Sequence, residues 1–427
     1  MVDAHPQIQA ARNQHASAGE AVGSAYSAYW PTLALTGNTG TDYVDSADRR
    51  ASALDPYQHG RNQVTLSLTQ RLFDGFAREA GVDAAQEGEQ AAAANVDATV
   101  QTVLIEALTA YVDVLRQTHL LALGRDNERN VRTQLQLEDE RVKRGSGMAV
   151  DVLQAKHRLQ VAKERRVAIE GALRNAISRY VQVFGHAPTI EQMDEPVPQP
   201  GVMPASLDAA LQAARRDNPT LLSGARQIEA AAARTQVAEG AYWPSFDLVG
   251  RGNWEKDRDA TIGIRRDWSA LVQMNWELFS GFRTDALVAQ STFDRAALID
   301  NQDYAVRKTE EATRLAWTTL QVARERLDVL ESAVNLALEV WDMRKKLREA
   351  GKATVLDVLD AESDTVTARM SQIIAHFDER VAAFQLLQAM GRLRGAEPLG
   401  RIASSPARAP APPVAAPSAP AAAEPPA

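Results

Sequence analysis

The chain of 427 residues contains no cysteine. That excludes disulfides, thiolate metal sites and thiol catalysis. No run of about 18 apolar residues occurs, so no segment reads as a membrane-spanning helix. Lys and Arg number 47 against 55 Asp and Glu, a formal charge of −8, and no dense basic stripe offsets it. Nucleic acid is therefore not an expected partner. The 7 histidines are scattered and form no short metal-ligand pair. Gly-x-Ser-x-Gly, a phosphate loop and a dinucleotide fingerprint are all absent. No catalytic residue, metal or cofactor is expected, and the work of the chain should be passage and docking.

What is present is a duplication. Tyr29-Trp30-Pro31-Thr32 returns as Tyr242-Trp243-Pro244-Ser245, a shift of 243 − 30 = 213, and Pro6 matches Pro219 at the same shift. Farther along, Leu72-Phe73-Asp74-Gly75-Phe76 returns as Leu278-Phe279-Ser280-Gly281-Phe282, and Asp151-Val152-Leu153 as Asp357-Val358-Leu359, a shift of 357 − 151 = 206. The length difference falls between residues 37 and 72, so the unit has a rigid body and one free loop. The repeats span 1–186 and 206–392, joined by a Pro-rich linker at 187–205. In the second copy Ser206 to Leu211 leads into Asn218-Pro219, with no counterpart before Met1. This predicts that the chain begins late and that an N-terminal piece with the export signal precedes it. From residue 393 Pro and Ala dominate, which predicts a disordered tail over 393–427.

Within each repeat the hydrophobic period changes. Phe282 to Ala350 runs without Gly or Pro, with apolar residues at three- and four-residue steps, and predicts a helix over 282–350 of roughly 100 Å. Its counterpart covers 77–143. Each ends at a glycine turn, Gly145-Ser146-Gly147 or Gly351, before return helices at 149–184 and 355–390, an αα-hairpin with coiled-coil character. Helices over about 4–28 and 206–240 precede the Tyr-Trp-Pro motifs. Between those motifs and the long helices the period is 2. Strands are predicted at 32–43, 62–73, 245–255 and 267–279, with external loops at 44–61 and 255–267. Trp268, Ala270, Val272, Met274 and Trp276 alternate with Ser269, Leu271, Gln273, Asn275 and Glu277. Trp254, Trp268 and Trp276 stand near the strand ends on the apolar face, where aromatic residues suit a membrane interface.

Four strands cannot close a barrel, and an open edge facing lipid leaves backbone amides unpaired at several kcal/mol each. The chain must pool strands with copies of itself, and three copies give twelve strands, an even number within the range of outer-membrane barrels. A soluble coiled-coil scaffold with a β-flap is the alternative, but it gives no reason for membrane-length strands with two unlike faces.

The order helix, strand, strand, long helix, return helix, twice, resembles the TolC-type outer-membrane factors. Leu-Phe-x-Gly-Phe resembles their strand-to-helix junction. Gly351-Lys352-Ala353-Thr354-Val355-Leu356-Asp357-Val358-Leu359-Asp360-Ala361 and Arg144-Gly145-Ser146-Gly147-Met148-Ala149-Val150-Asp151-Val152-Leu153 resemble their two periplasmic tips. The resemblance covers residues 1 to about 393. It implies a mainly α protein with a membrane β portion: a homotrimer with a 12-stranded β-barrel in the outer membrane of a Gram-negative cell, continuous with a periplasmic α-helical barrel. Its implied partners are a periplasmic adaptor, an inner-membrane pump (an ABC transporter or a proton-driven one) and outer-membrane lipid. Type I secretion of protein is expected from the similarity of the repeat motifs and the lack of a lipid-bearing cysteine, with multidrug efflux as the alternative.

Asp357, Asp360 and Asp364 share one helix face by spacing, and threefold rings of carboxylates would favour cations. In the family the positions matching Asp357 and Asp360 line the tunnel entrance. Thr354 with Asp357 also reads as a capping box. Asp151 matches one partner of the family's tip latch, but the tyrosine partner is Arg348 here and the arginine is Ala353. An Asp151–Arg348 ion pair is the expected substitute. Gly145, Gly147 and Gly351 are the expected adaptor contacts, alongside ordinary helix capping.

Overall fold

The computed structural model describes residues 4–145, 148–199, 201–258 and 261–396. In chain order the elements are α1 (Pro6–Ser27), β1 (Thr32–Val44), α2 (Ala47–Ala51), β2 (Tyr57–Phe73), α3 (Ala77–Lys143), α4 (Ala149–Phe184), α5 (Leu207–Asp217), α6 (Pro219–Glu239), β3 (Ser245–Arg258), β4 (Thr261–Asn275), α7 (Arg283–Glu349) and α8 (Val355–Ala389). Short 3₁₀ turns lie at Ile190–Gln192, Gly240–Tyr242 and Leu393–Ala396. The chain is mainly helical, with four antiparallel strands in two repeats of helix, strand, strand and long helix.

Several boundaries differ from the expected ones, each for a local reason. The helix expected over 206–240 is two helices. Pro219 begins α6, the residue before a proline is held extended, and Asn218 Oδ1 accepts the Thr220 N–H at 2.9 Å. The strands reach beyond the expected loops, to Tyr57 and Arg258, because ladder hydrogen bonds do not require apolar side chains. The outer hairpin at 45–56 carries the one-turn helix α2, capped by Ser46. The strand expected to run to 279 ends at Asn275. At the C-terminal side, Leu393 is buried and Arg394 pairs with Asp97 at 2.5 Å, so order continues to Ala396 where a tail from 393 was expected. Residues 397–427 lie outside the described residues, as does Gly147.

The strands form one sheet in the order β1-β2-β3-β4, every neighbour antiparallel. All four helix attachments leave from the same end of the sheet. At that end β2 meets α3 and β4 runs down toward α7 through a left-handed step, Gly75-Phe76 (φ 67° and 67°) and Gly281-Phe282 (φ 63° and 63°). A Cβ at Gly75 would stand 2.5 Å from Gly240 O and 2.7 Å from Trp243 Cβ, whereas at Gly281 it would meet nothing within 4 Å. The two junctions have the same backbone but only the first is covered.

The helices are unequally buried as well. The side-by-side order is α4, α3, α8, α7, with α1 and α6 against α3, and α5 and α6 against α7. In α3, 24 residues are buried; in α7, of the same 67-residue length, only Thr313, Leu320, Ala323 and Val334 are. The main core lies midway along the long helices, where Ile8, Val103, Leu108, Ala213, Leu320, Phe384, Leu387 and Met390 meet, so both repeats build it. A second cluster below it joins Tyr111, Val114, Tyr180 and Phe377. Burial pushes the Tyr111 phenol up to about 12, and its hydroxyl donates to Asp194 O at 2.9 Å.

Candidate functional site

The register sorts every strand position onto one of two faces. One row across the sheet is Leu35–Leu66–Gly252–Trp268 and the next is Leu33–Leu68–Gly250–Ala270. The row between them is Ala34–Ser67–Arg251–Ser269, and the row beyond Leu35 is Thr36–Thr65–Asn253–Asp267. The apolar rows are bare: Leu35 is 71% and Trp268 82% exposed. The polar rows bond across strands, Thr65 Oγ1 donating to Asn253 Oδ1 at 3.0 Å and Asn253 Nδ2 to Asp267 Oδ2 at 2.9 Å. Arg71 pairs with Asp247 at 3.0 Å on the same face. A wall with one wet and one greasy side is the arrangement of a membrane β-barrel.

Aromatic residues mark both ends of the greasy band. Trp268 stands toward the outer end and the half-buried Trp254 still farther out. Trp276, just past β4, belongs to the end nearer the helices, where its Nε1 donates to Tyr242 O at 3.1 Å. At the same end of the sheet lie exposed Trp30, Trp243, Phe76, Phe279 and Phe282. Sequence reading passed over this collar, although its members are the duplicated Tyr-Trp-Pro and Leu-Phe-x-Gly-Phe motifs themselves. Ser245 to Trp254 is about 30 Å along a strand, or roughly 23 Å at a barrel tilt of about 40°, close to an outer-membrane apolar band of about 25 Å.

The other end of the molecule is the paired helical tip. Gly145 and Gly351 take φ 75° and 74°, values that favour glycine, and a Cβ there would meet nothing within 4 Å. Met148, Val150 and Leu153 beside them are exposed. Asp357, Asp360 and Asp364 do share the face of α8 turned from its buried residues. Asp357 completes a capping box, accepting from Thr354 N–H at 2.8 Å and Thr354 Oγ1 at 2.7 Å, and Arg344 lies 3.6 Å away. The Thr354 hydrogen bonds, with help from Arg344, hold its carboxyl below the usual range. Asp360 pairs with Arg158 of α4, and Asp364 is exposed with no partner among the described residues.

The expected Asp151–Arg348 pair is not made within the chain. Arg348 donates to Glu138 Oε2 of α3 at 3.2 Å and to Ala353 O at 3.4 Å, while Arg141 donates to Glu138 Oε1 at 2.9 Å. Glu138 is 3% exposed, so its buried charge draws the nearer guanidinium groups, and Asp151 keeps its place in the first turn of α4. The two hairpins are thus joined by Arg348–Glu138, Arg158–Asp360 and, higher up, Arg116–Asp378 at 3.2 Å.

One buried carboxylate at this seam lacks a hydrogen-bond partner among the described residues. Glu362 is 3% exposed and neither of its oxygens has a hydrogen-bond partner. It lines a cavity of about 30 Å³ with Asn127, Arg158, Arg165 and Ser363. Burial pushes its carboxyl up, against a weaker opposing pull from Lys345. Trp341 Nε1 also lacks a partner among the described residues, and Lys345 Nζ sits 3.1 Å above the Trp341 ring.

A two-faced sheet with aromatic collars, carried on helices of about 100 Å, defines an outer-membrane channel with a periplasmic helical extension. The model of the family described as outer membrane efflux protein matches residues 2–186 and 210–392, and the chain belongs to that family, the TolC-type outer-membrane factors. It is similar to the outer membrane efflux protein BepC of Brucella suis, 28% identical over 384 residues that cover 89% of this chain and 81% of BepC. It is also similar to the outer membrane protein TolC of Vibrio cholerae, 23% identical over 394 residues that cover 91% and 88%. The crystal structure of CusC shares the fold at a TM-score of 0.80 and 15% identity over 90% of this chain and 89% of CusC. The protein is an outer-membrane efflux channel of the tripartite kind, a transport protein without enzymatic activity.

The unpaired Glu362 sets a pH dependence. Its raised folded value means that the packed seam holds more proton than the unfolded chain. Stability should therefore fall as pH rises from the ordinary carboxylate range toward that raised value. Glu362→Gln should raise the melting temperature at neutral pH, by removing an unmet buried charge worth roughly 1–3 kcal/mol, and should flatten this decline. Thermal melts of both proteins from acid to neutral pH check it; parallel curves would discard the assignment.

Proposed function

We propose that three copies of this chain close into a duct for type I secretion of protein, working with a periplasmic adaptor and an inner-membrane pump. The observation that carries the assembly is the mismatch between the two repeats. Within the chain, repeat one meets repeat two through β2–β3, α3–α6 and α3–α8. The equivalent pairings, β4 with β1, and α7 with α1 and α4, are not packed within the chain among the described residues. On α7 the exposed Leu315, Val322, Val329, Leu336 and Met343 recur every seventh residue. Exposed Leu153, Val167 and Val181 on α4 stand at multiples of the same interval. Stripes of this period bury against another helix. Gly281 fits the same logic, since the covering role of Trp243 over Gly75 falls to Trp30 of the next copy. Four strands a copy make twelve in a ring of three.

The internal symmetry also gives the register between copies. Leu66 pairs with Gly252; moved by 206 and 213 positions, this becomes Val272 of one copy beside Thr39 of the next. Because the chain has no cysteine, Thr39→Cys with Val272→Cys should cross-link, giving dimers and trimers on a denaturing gel and nothing larger. A ladder continuing beyond trimer, or none, would sink the ring.

At the tip we assign Asp357, Asp360 and Asp364 to the narrow end of the duct, and Gly145, Gly351 and the exposed residues beside them to adaptor contact. Arg348 with Glu138 takes the latch role. Arg348→Ala should raise single-channel conductance in planar bilayers, whereas Asp151→Asn should leave it near the parent value. The reverse pattern would return the latch to Asp151.

Protein cargo is favoured by the overall similarity of the repeat motifs and by the lack of a lipid-bearing cysteine. Export of small molecules is a second reading, favoured by the similarity to BepC, itself named an efflux protein. Deleting the gene separates them. Loss of a large secreted protein with drug sensitivity unchanged supports the first reading, and the opposite result replaces it with the second.

A further inference from the structure

The greasy face of the sheet holds two charges among the described residues, and both are positive. Its positions run from Leu33 to Tyr43 on β1, Gln58 to Gln70 on β2, Phe246 to Lys256 on β3 and Ile264 to Met274 on β4, taking alternate residues. Only Lys256 and Arg266 are charged. The acids Asp42, Asp247, Glu255 and Asp267 all fall on the other face, where Glu255 pairs with Arg258 and Asp247 with Arg71.

The two cations are neighbours at one rim. Arg266 pairs with Trp254 in the ladder and Lys256 with Ile264, so they stand diagonal to each other across β3 and β4. Diagonal neighbours of this kind lie about 7–8 Å apart, within reach of a single phosphate group for long side chains. Both are exposed, and no ion pair or hydrogen bond engages either side chain among the described residues. They sit in two successive rows on the side away from the helices, Gly37–Val64–Trp254–Arg266 and Thr39–Asn62–Lys256–Ile264, where this face turns polar on β1 and β2 while Ile264 and Ile262 continue it on β4. A lone cation facing hydrocarbon is costly, but a long side chain can lay its stem on the apolar surface and carry its charge to the headgroup level. Unpaired cations at that level, with no acid near them on that face, complement an anionic headgroup.

We propose that Lys256 and Arg266 form a binding site for the phosphate groups of the glycolipid that makes up the outer leaflet, with Trp254 packed beside the sugar–acyl boundary. The site rests on the reading of this face as the lipid-facing wall of the barrel. Its chemistry is two hydrogen-bonding cations on one phosphorylated headgroup, the guanidinium able to hold two phosphate oxygens at once.

The test uses the assembled protein, purified in detergent and titrated with phosphorylated lipid A or with the same lipid after dephosphorylation, bound lipid being counted by native mass spectrometry. The parent protein should prefer the phosphorylated form. Lys256→Gln with Arg266→Gln should weaken its binding by about thirtyfold, since each basic residue near an anionic surface strengthens attachment roughly fivefold. Lys256→Arg with Arg266→Lys should retain most of it. Equal binding of the two lipids, or no loss in the glutamine variant, would overturn the site. The Thr39→Cys, Val272→Cys cross-link is run in the same background. Trimer without charge-dependent lipid binding removes this proposal alone, whereas absence of trimer in the parent removes the barrel on which it stands.

Discussion

A β-strand edge in hydrocarbon has nowhere to place its hydrogen bonds, and this constraint governs the molecule. Water would satisfy the outer edges of β1 and β4 in a soluble protein; lipid cannot. The sheet therefore has to be a segment of a closed wall, and its side chains are distributed accordingly. Leucine, valine and tryptophan line one face, while threonine, serine, asparagine and paired charges line the other, with no row across the four strands breaking the pattern near its middle. The helices obey a related rule. A 67-residue helix with four buried residues is unfinished surface, and its heptad stripe is the helical counterpart of the open strand edge.

Duplication explains how one chain meets both demands. Each repeat supplies a hairpin and a pair of helices, and in the proposed ring the same kind of contact serves inside the chain and between copies. Small departures from identity then carry meaning. Gly75 is covered and Gly281 is open. At the tip the duplicates diverge in charge: Lys156 in the first hairpin is replaced by the buried Glu362 in the second, and Asp139 by Lys345. The second hairpin is thus the one with unmet electrostatics, and the one tied to its neighbour by Arg348 and Arg158.

Much of this was legible in the sequence because the signals were periodic and doubled. The period-2 runs located the strands, and the long glycine-free stretch located α7 to within a residue at each end. What escaped were features decided by contact in space. The break at Asn218-Pro219 was visible as a dipeptide but was read through as helix. The extension of β2 to Tyr57 and of β3 to Arg258 follows from pairing, which polar residues join as readily as apolar ones. The choice of Glu138 over Asp151 by Arg348 depends on the two hairpins lying side by side, and no spacing along the chain encodes it. The collar of Trp30, Trp243, Phe76 and Phe282 lay inside the very motifs that revealed the repeat, concealed because they were read as turn and junction signals.

The placement of the core has a mechanical consequence. Phe377 and Phe384 anchor the last third of α8, about 33 and 44 Å from its start at Val355. Below that fulcrum the hairpins touch through ion pairs and small clusters; above it they are locked by tight apolar packing. The lower helices are therefore lever arms. A tilt of about 10° about the fulcrum would sweep each tip sideways by about 6 Å, while the strands above would scarcely feel it. Aperture can thus change at one end of the conduit with its membrane-embedded end held still.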